Sequence, residues 1–203
     1  MSSGNILVVG IDPSLSAAGL VALLASRRLG GPFLDVAVPQ RLTVRPPRNG
    51  PLGQRLSALW GATYETLDTW LSLRFGVTDW WVVSENPMDY TAVPGQRYNS
   101  PENIGKLGAA TGVVLEAAWD VLATIEGGAD HLVELGTKAW LPKTRGKRGG
   151  SHFMAHDDVV KLLRRAYPVL AGTTDDETMA AGVALHHARR VLDKMAQRQG
   201  VAA

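Results

Sequence analysis

The chain contains no cysteine. That absence excludes a disulfide framework, a thiolate zinc site and a cysteine nucleophile together. It suits a reducing compartment and directs any metal chemistry toward oxygen donors. Charge of one sign is also lacking. Lysine and arginine number 21 against 19 acids, a net +2 that by itself does not announce a nucleic-acid binder. No apolar run approaches the roughly 18 residues a membrane span needs, so no membrane association is expected. Met1 to Ser3 leads straight into an apolar strand without a basic or long hydrophobic leader, so no secretory signal is expected. Internal repeats and domain linkers are not evident. The 203 residues, 45% hydrophobic, therefore read as one domain over 1–203 with a core of its own.

Short β-branched runs come first. Asn5 to Ile11, Gly19 to Ala25 and Phe33 to Val44 read as three strands. The gaps between them are hairpin-sized, which predicts an antiparallel meander. Apolar residues at spacings of three and four predict a helix over Leu52 to Phe75. Trp80 to Ser84 is a fourth strand, and Met88 to Ser100 a loop. Ser100 and Pro101 are helix-start signals for a segment running to about Ile125. Its Gly108, Ala109, Ala110 and Gly112 make a slim stretch suited to close packing on a sheet. His131 to Leu135 is a fifth strand. Asp157 to Tyr167 and Thr174 to Gln197 are the last helices, with a basic, glycine-rich flexible loop around 138–152 before them. This order predicts an α/β fold: a mixed five-stranded sheet, its first three strands antiparallel, flanked by helices.

Three acidic stations stand out. Asp12 ends the first buried strand and Glu85 the fourth. Asp175, Asp176 and Glu177 open the last helix. Strand ends of an open α/β sheet meet at one crevice, where ligands bind. Carboxylates converging there suit hard divalent cations and two-metal phosphodiester chemistry. Each station also has a plain structural reading. Acids at strand ends are often solvated turn residues, and Thr174 with Glu177 forms a capping box.

Val9-Gly-Ile-Asp-Pro-Ser followed by Gly19 resembles the first strand of RuvC-type Holliday junction resolvases, within the RNase H-like fold. Glu85 after Trp-Val-Val-Ser resembles that family's second acidic strand. The stretch from Leu107 to Ala118 resembles its slim helix, Lys138 to Pro142 and the basic segment after it its basic loop, and Ala180 to Ala184 its alanine-rich final helix. The resemblance covers most of the chain in order and suggests a phage or plasmid-type member. It implies a catalytic set of Asp12, Glu85 and one or two acids of the last helix. The family places its last two acidic or histidine positions three apart. Here Asp176 meets Met179 at that spacing and Glu177 meets Thr174, so neither pair supplies two ligands. Asp176 is the expected third ligand, with Asp175 or Glu177 assisting.

The resemblance also implies Mg²⁺, two ions per site, with Mn²⁺ as a substitute. It implies a homodimer, because a four-way junction has two-fold symmetry, and a bacterial or phage-infected cytoplasm. Positive charge is concentrated where such a substrate would lie. Lys138 to Arg165 carries eight basic and two acidic residues, +6, leaving −4 for the remainder. Lys138, Lys143, Arg145, Lys147, Arg148 and His156 are candidate phosphate contacts. Arg97, Tyr90 and Tyr98 are candidates in the loop after the fourth strand, the tyrosines by stacking on bases. A plain solubilising loop and surface tyrosines are the structural alternatives. The expected activity is structure-selective endonucleolytic cleavage of four-way DNA junctions in recombination, repair or phage DNA processing. The alternatives are a catalytically weakened branched-DNA binder and an actin-like ATPase or kinase.

Overall fold

The structure is a computed structural model that describes residues 5–27, 34–77, 79–86, 100–145 and 151–198. Three strands open it: β1 (Ile6–Asp12), β2 (Ala18–Arg27) and β3 (Leu34–Val44). They form the expected meander, β1 with β2 and β2 with β3 antiparallel. Helix α1 (Leu52–Leu73) leads to β4 (Asp79–Asn86), which pairs parallel with β1. Helix α2 (Pro101–Ala123) leads to β5 (Leu132–Gly136), parallel to β4. The sheet order is therefore β3-β2-β1-β4-β5. The central strand β1 is buried on both faces, which is why its sequence is apolar at every position from Ile6 to Ile11.

Alternate residues of β1 feed two cores. Leu7, Val9 and Ile11 pack with Leu59, Leu67, Val114 and Leu122 of α1 and α2. Ile6 and Val8 pack on the opposite face with α4 (His156–Ala166) and α5 (Asp175–Arg198), through Val159, Ala180, Ala184 and Ala188. Helix α5 lies unusually close to the sheet. A Cβ on Gly10 would strike the Ala180 carbonyl oxygen, and one on Gly19 the Asp176 carbonyl oxygen. Glycine at both positions lets the first half of α5 rest directly on β1 and β2.

Local signals explain the boundaries. Ser100 Oγ accepts from the Asn103 amide at 3.2 Å and caps α2, with Pro101 at its first position. Helix α1 stops at Leu73, short of the expected Phe75, because Phe75 turns left-handed at φ 44°. Pro39 sits beside a bulge between β2 and β3, where a missing amide is harmless at a sheet edge.

Two segments show detail beyond the sequence expectation. In the slim stretch of α2, Ala110 is buried in the core with β1 and β4 residues, while Gly112 is exposed with open space beside it. The buried face of that helix consists of Ala110, Thr111, Val114, Ala117, Ala118 and Val121. The segment expected to be a loop around 138–152 also holds regular structure. It contains a single-turn helix α3 (Thr137–Trp140) and strands β6 (Lys143–Arg145) and β7 (Ser151–Phe153), paired antiparallel. Burial of Thr137 and Trp140 anchors its start, which a charge pattern does not reveal. No helix among the described residues is long and apolar enough to cross a membrane.

Candidate active site

Strand register brings the first two acids together. Ile11 pairs with Ser84 across the parallel β1–β4 seam, so Asp12 and Glu85 follow side by side at the strand ends. Their carboxyls share a hydrogen bond. Asp12 is half-buried and Glu85 buried. Asp12 pairs with Gly19 on its other side, and the backbone of Asp176 rests against that glycine. The close seat of α5 thus carries Asp176 to within electrostatic reach of Asp12.

Crowding shows in proton affinity. The Asp12 carboxyl is pushed well above the usual carboxylate range by burial first, then by the charges of Glu85 and Asp176. Burial also raises Glu85, opposed by hydrogen bonds from Thr137, Trp140 and Asp12. In that pair Asp12 therefore holds the proton and Glu85 accepts. Burial raises Asp176 as well, opposed by the nearby charges of Arg45 and His156.

Glu85 is gripped by one short segment. Thr137 Oγ1 donates to Glu85 Oε1 at 2.6 Å, and Trp140 Nε1 donates to the same oxygen at 3.2 Å. Both donors are buried and both belong to α3. Trp140 is seated in turn by Gly182 of α5. A Cβ there would lie 2.6 Å from Trp140 Cζ3 and 2.8 Å from Leu163 Cδ1. A chain of contacts runs from α5 through the indole to one oxygen of Glu85. The other Glu85 oxygen is left to Asp12 or to a ligand.

The remaining acids of α5 are engaged elsewhere. Glu177 forms the capping box its spacing suggests. The Thr174 amide donates to Glu177 Oε2 at 2.9 Å, and the Glu177 amide to Thr174 Oγ1 at 3.2 Å. Thr43 Oγ1 donates to Glu177 Oε1 at 2.9 Å, and Arg41 approaches Oε2 at 3.9 Å. Asp175 is ion-paired with Arg164 at 2.9 Å. Met179 is buried in the core.

The donor set of Asp12, Glu85 and Asp176 is all oxygen, which fits a hard divalent cation. Among the described residues, no three histidines or carboxylates stand close enough together to hold an ion without adjustment. Asp12 and Glu85 are the assembled pair, and Asp176 is a neighbour whose charge acts on Asp12.

Of the candidate DNA contacts, His156 starts α4, is exposed, and projects its charge onto Glu85 and Asp176. Lys138 is exposed on α3. Lys143 is exposed on β6, its ammonium 5.3 Å from the Phe153 ring centroid. The backbone of Arg145 ends β6. Tyr90, Arg97, Tyr98, Lys147 and Arg148 lie outside the described residues. Sequence reasoning missed Thr137, Trp140 and Arg45. Trp140 carried a signal, as a lone tryptophan in an otherwise basic segment. Arg45, just past β3, carried none.

A scan of protein-family models finds no match, and neither does a search of curated proteins. Solved structures do match. RuvC of Thermus thermophilus in complex with a Holliday junction substrate superposes with a TM-score of 0.61 at 21% identity, covering 93% of this chain and 96% of that one. A second structure of Thermus thermophilus RuvC gives 0.59 at 21% identity, covering 92% and 96%. A yeast mitochondrial Holliday junction resolvase gives 0.48 at 12% identity, covering 94% and 83%. The mixed five-stranded sheet with its flanking helices is a fold shared with Thermus thermophilus RuvC.

Proposed function

We propose that this chain is a divalent-metal-dependent endonuclease that cleaves four-way DNA junctions. The observation that carries the reading is the convergence of Asp12 and Glu85 at neighbouring strand ends, with Asp176 brought alongside by α5, on this fold. Asp12, Glu85 and Asp176 would hold Mg²⁺, one ion or two, with Mn²⁺ as a substitute. Bound there, the metal would supply Lewis-acid activation of water and neutralise charge developing on the phosphate.

The chain's own groups do the rest. Thr137 and Trp140 hold one oxygen of Glu85 and so fix the orientation of its carboxylate. Arg45 and His156 lie near the acids and offer positive charge to a phosphodiester. Lys138 and Lys143, with Arg145, Lys147 and Arg148, would hold the backbone of a DNA arm. Arg97, Tyr90 and Tyr98 would meet the branch point. Two-fold symmetric cuts call for a homodimer. Asp175 and Glu177 support the site from outside it, through the Arg164 pair and the helix cap.

One observation favours a second reading. Met179, three residues after Asp176 where the resemblance implies a second ligand, is buried in the core and offers none, which fits a protein that binds branched DNA and cuts it weakly. A synthetic four-way junction incubated with the protein and Mg²⁺ separates the two. Cleavage in wild type, with junction binding but no cleavage in Asp12→Asn, is the expected result. Binding without cleavage in the wild type supports the second reading, and cleavage retained by Asp12→Asn refutes the assigned site.

A further inference from the structure

At the other end of α5 lies a pocket that the nuclease reading does not use. It has a volume of about 440 Å³ and is walled mainly by apolar atoms of Trp81, Val133, Val191 and Met195. That size falls within the usual range for small-molecule sites. Trp81 and Val133 lie toward the opposite ends of β4 and β5 from Glu85. His187, which also lines the pocket, is eleven residues along α5 from Asp176, about 16 Å at the helical rise.

Two features mark the pocket as more than a packing gap. His187 is only 8% exposed, yet neither ring nitrogen has a hydrogen-bond partner. Its ring leans on Trp81 at 5.0 Å between centroids. Buried polar groups are nearly always satisfied, so a lone unpaired imidazole at a pocket wall calls for a partner. The second feature is charge. Arg190, Lys194 and Arg198 stand four apart on one side of α5, all exposed, and all line the pocket. Like charges at that spacing repel and weaken a helix. Among the described residues, no acidic side chain lines the pocket. The neighbouring acid of that helix, Asp193, is paired with Arg27 at 3.5 Å.

We propose that this pocket is a second ligand site that takes a small amphipathic anion. A flat apolar body would lie against Trp81 and Met195. The anionic head group would meet Arg190, Lys194 and Arg198, and a polar atom of the ligand would bond His187. Burial and the charges of Arg190, His186 and Lys194 hold the His187 pKa down to about 4. The imidazole is therefore neutral and offers one donor and one acceptor. The site stands apart from the carboxylate centre, and its test does not depend on cleavage.

The probe is 8-anilinonaphthalene-1-sulfonate, a flat body with one anionic group, titrated into the full chain and followed by fluorescence. One site per chain is expected. Arg190→Glu/Lys194→Glu should weaken binding by about tenfold or more, because charge-assisted contacts become repulsive. The uncharged analogue N-phenyl-1-naphthylamine should bind both proteins equally. Lys194→Ala, a milder change at an exposed position, keeps the test available if the double variant misfolds, and should weaken the sulfonate by a few-fold. Adenosine monophosphate and indole-3-acetate then compete with the probe. Displacement by either supports the site and identifies phosphate or carboxylate as its head group. Equal probe affinity in wild type and rim variants, several sites per chain, or displacement by neither competitor would overturn the proposal.

Discussion

The grip of α3 on Glu85 can be removed one donor at a time. Thr137→Val keeps the side chain's shape and deletes the hydroxyl that donates to Glu85 Oε1 at 2.6 Å. A hydrogen bond to a charged group contributes about 1.5–3 kcal/mol, and one to a neutral group about 1 kcal/mol. Glu85 is buried, so water does not replace the lost donor. The cost should depend on pH. Glu85 already has a raised pKa in the folded state, and Thr137 is the largest influence opposing that rise. Removing it raises Glu85 further. The penalty is then full above the variant's folded pKa, where the carboxylate must be charged, and shrinks as pH falls through the raised folded pKa values of variant and wild type. Thr137→Val should lose about 2 kcal/mol at pH 8 and about 1 kcal/mol near pH 4. In urea, at about 2 kcal/mol per molar, the first figure moves the midpoint by about 1 M. Thr137→Ser restores the donor and should recover most of the loss. Equal midpoints for wild type and Thr137→Val at pH 8, or a penalty that grows as pH falls, would refute the reasoning.

Further outcomes follow from the same geometry. Asp12 has a raised pKa, so its contribution to folding is complete below the usual carboxylate range and is lost as pH rises through the folded value. Asp12→Asn should therefore raise the urea midpoint at pH 8, with the gain vanishing near about pH 4. Gly182→Ala puts a methyl against Trp140 and Leu163 and should destabilise by about 1–3 kcal/mol in thermal or urea unfolding. Its tryptophan emission should shift as the indole moves. His187→Leu exchanges an unpaired buried imidazole for an apolar group and should leave stability unchanged or raise it by about 1 kcal/mol. A large loss there would show a hydrogen-bond partner for the ring.

Much of the scaffold was legible because burial writes itself into sequence. A strand covered on both faces must be apolar throughout, as Ile6 to Ile11 is. Acids that end such runs, Asp12 and Glu85, stand out against them. The capping box of Thr174 and Glu177 is a local pattern and needed no tertiary information. What stayed hidden depends on contacts between distant segments. The role of α3 was masked by a basic composition, although its buried residues are Thr137 and Trp140. Within the slim stretch of α2, Ala110 is buried and Gly112 is exposed, and the close approach to α5 comes from Gly10 and Gly19. Small residues show where approach is permitted, and the partner helix decides where it happens. Arg45 reaches Asp176 only because β3 ends where α5 begins, a relation tied down by Thr43 and Glu177.

The central claim is that Asp12, Glu85 and Asp176 form one metal-binding site. A crystal soaked in Mn²⁺ and measured at the manganese absorption edge tests it directly. The account predicts anomalous density between Asp12 and Glu85, with Asp176 turned toward it, while Asp175 keeps Arg164 and Glu177 keeps Thr43 and Thr174. Density held instead by Asp175 or Glu177, or none near Asp12 at saturating Mn²⁺, would contradict it.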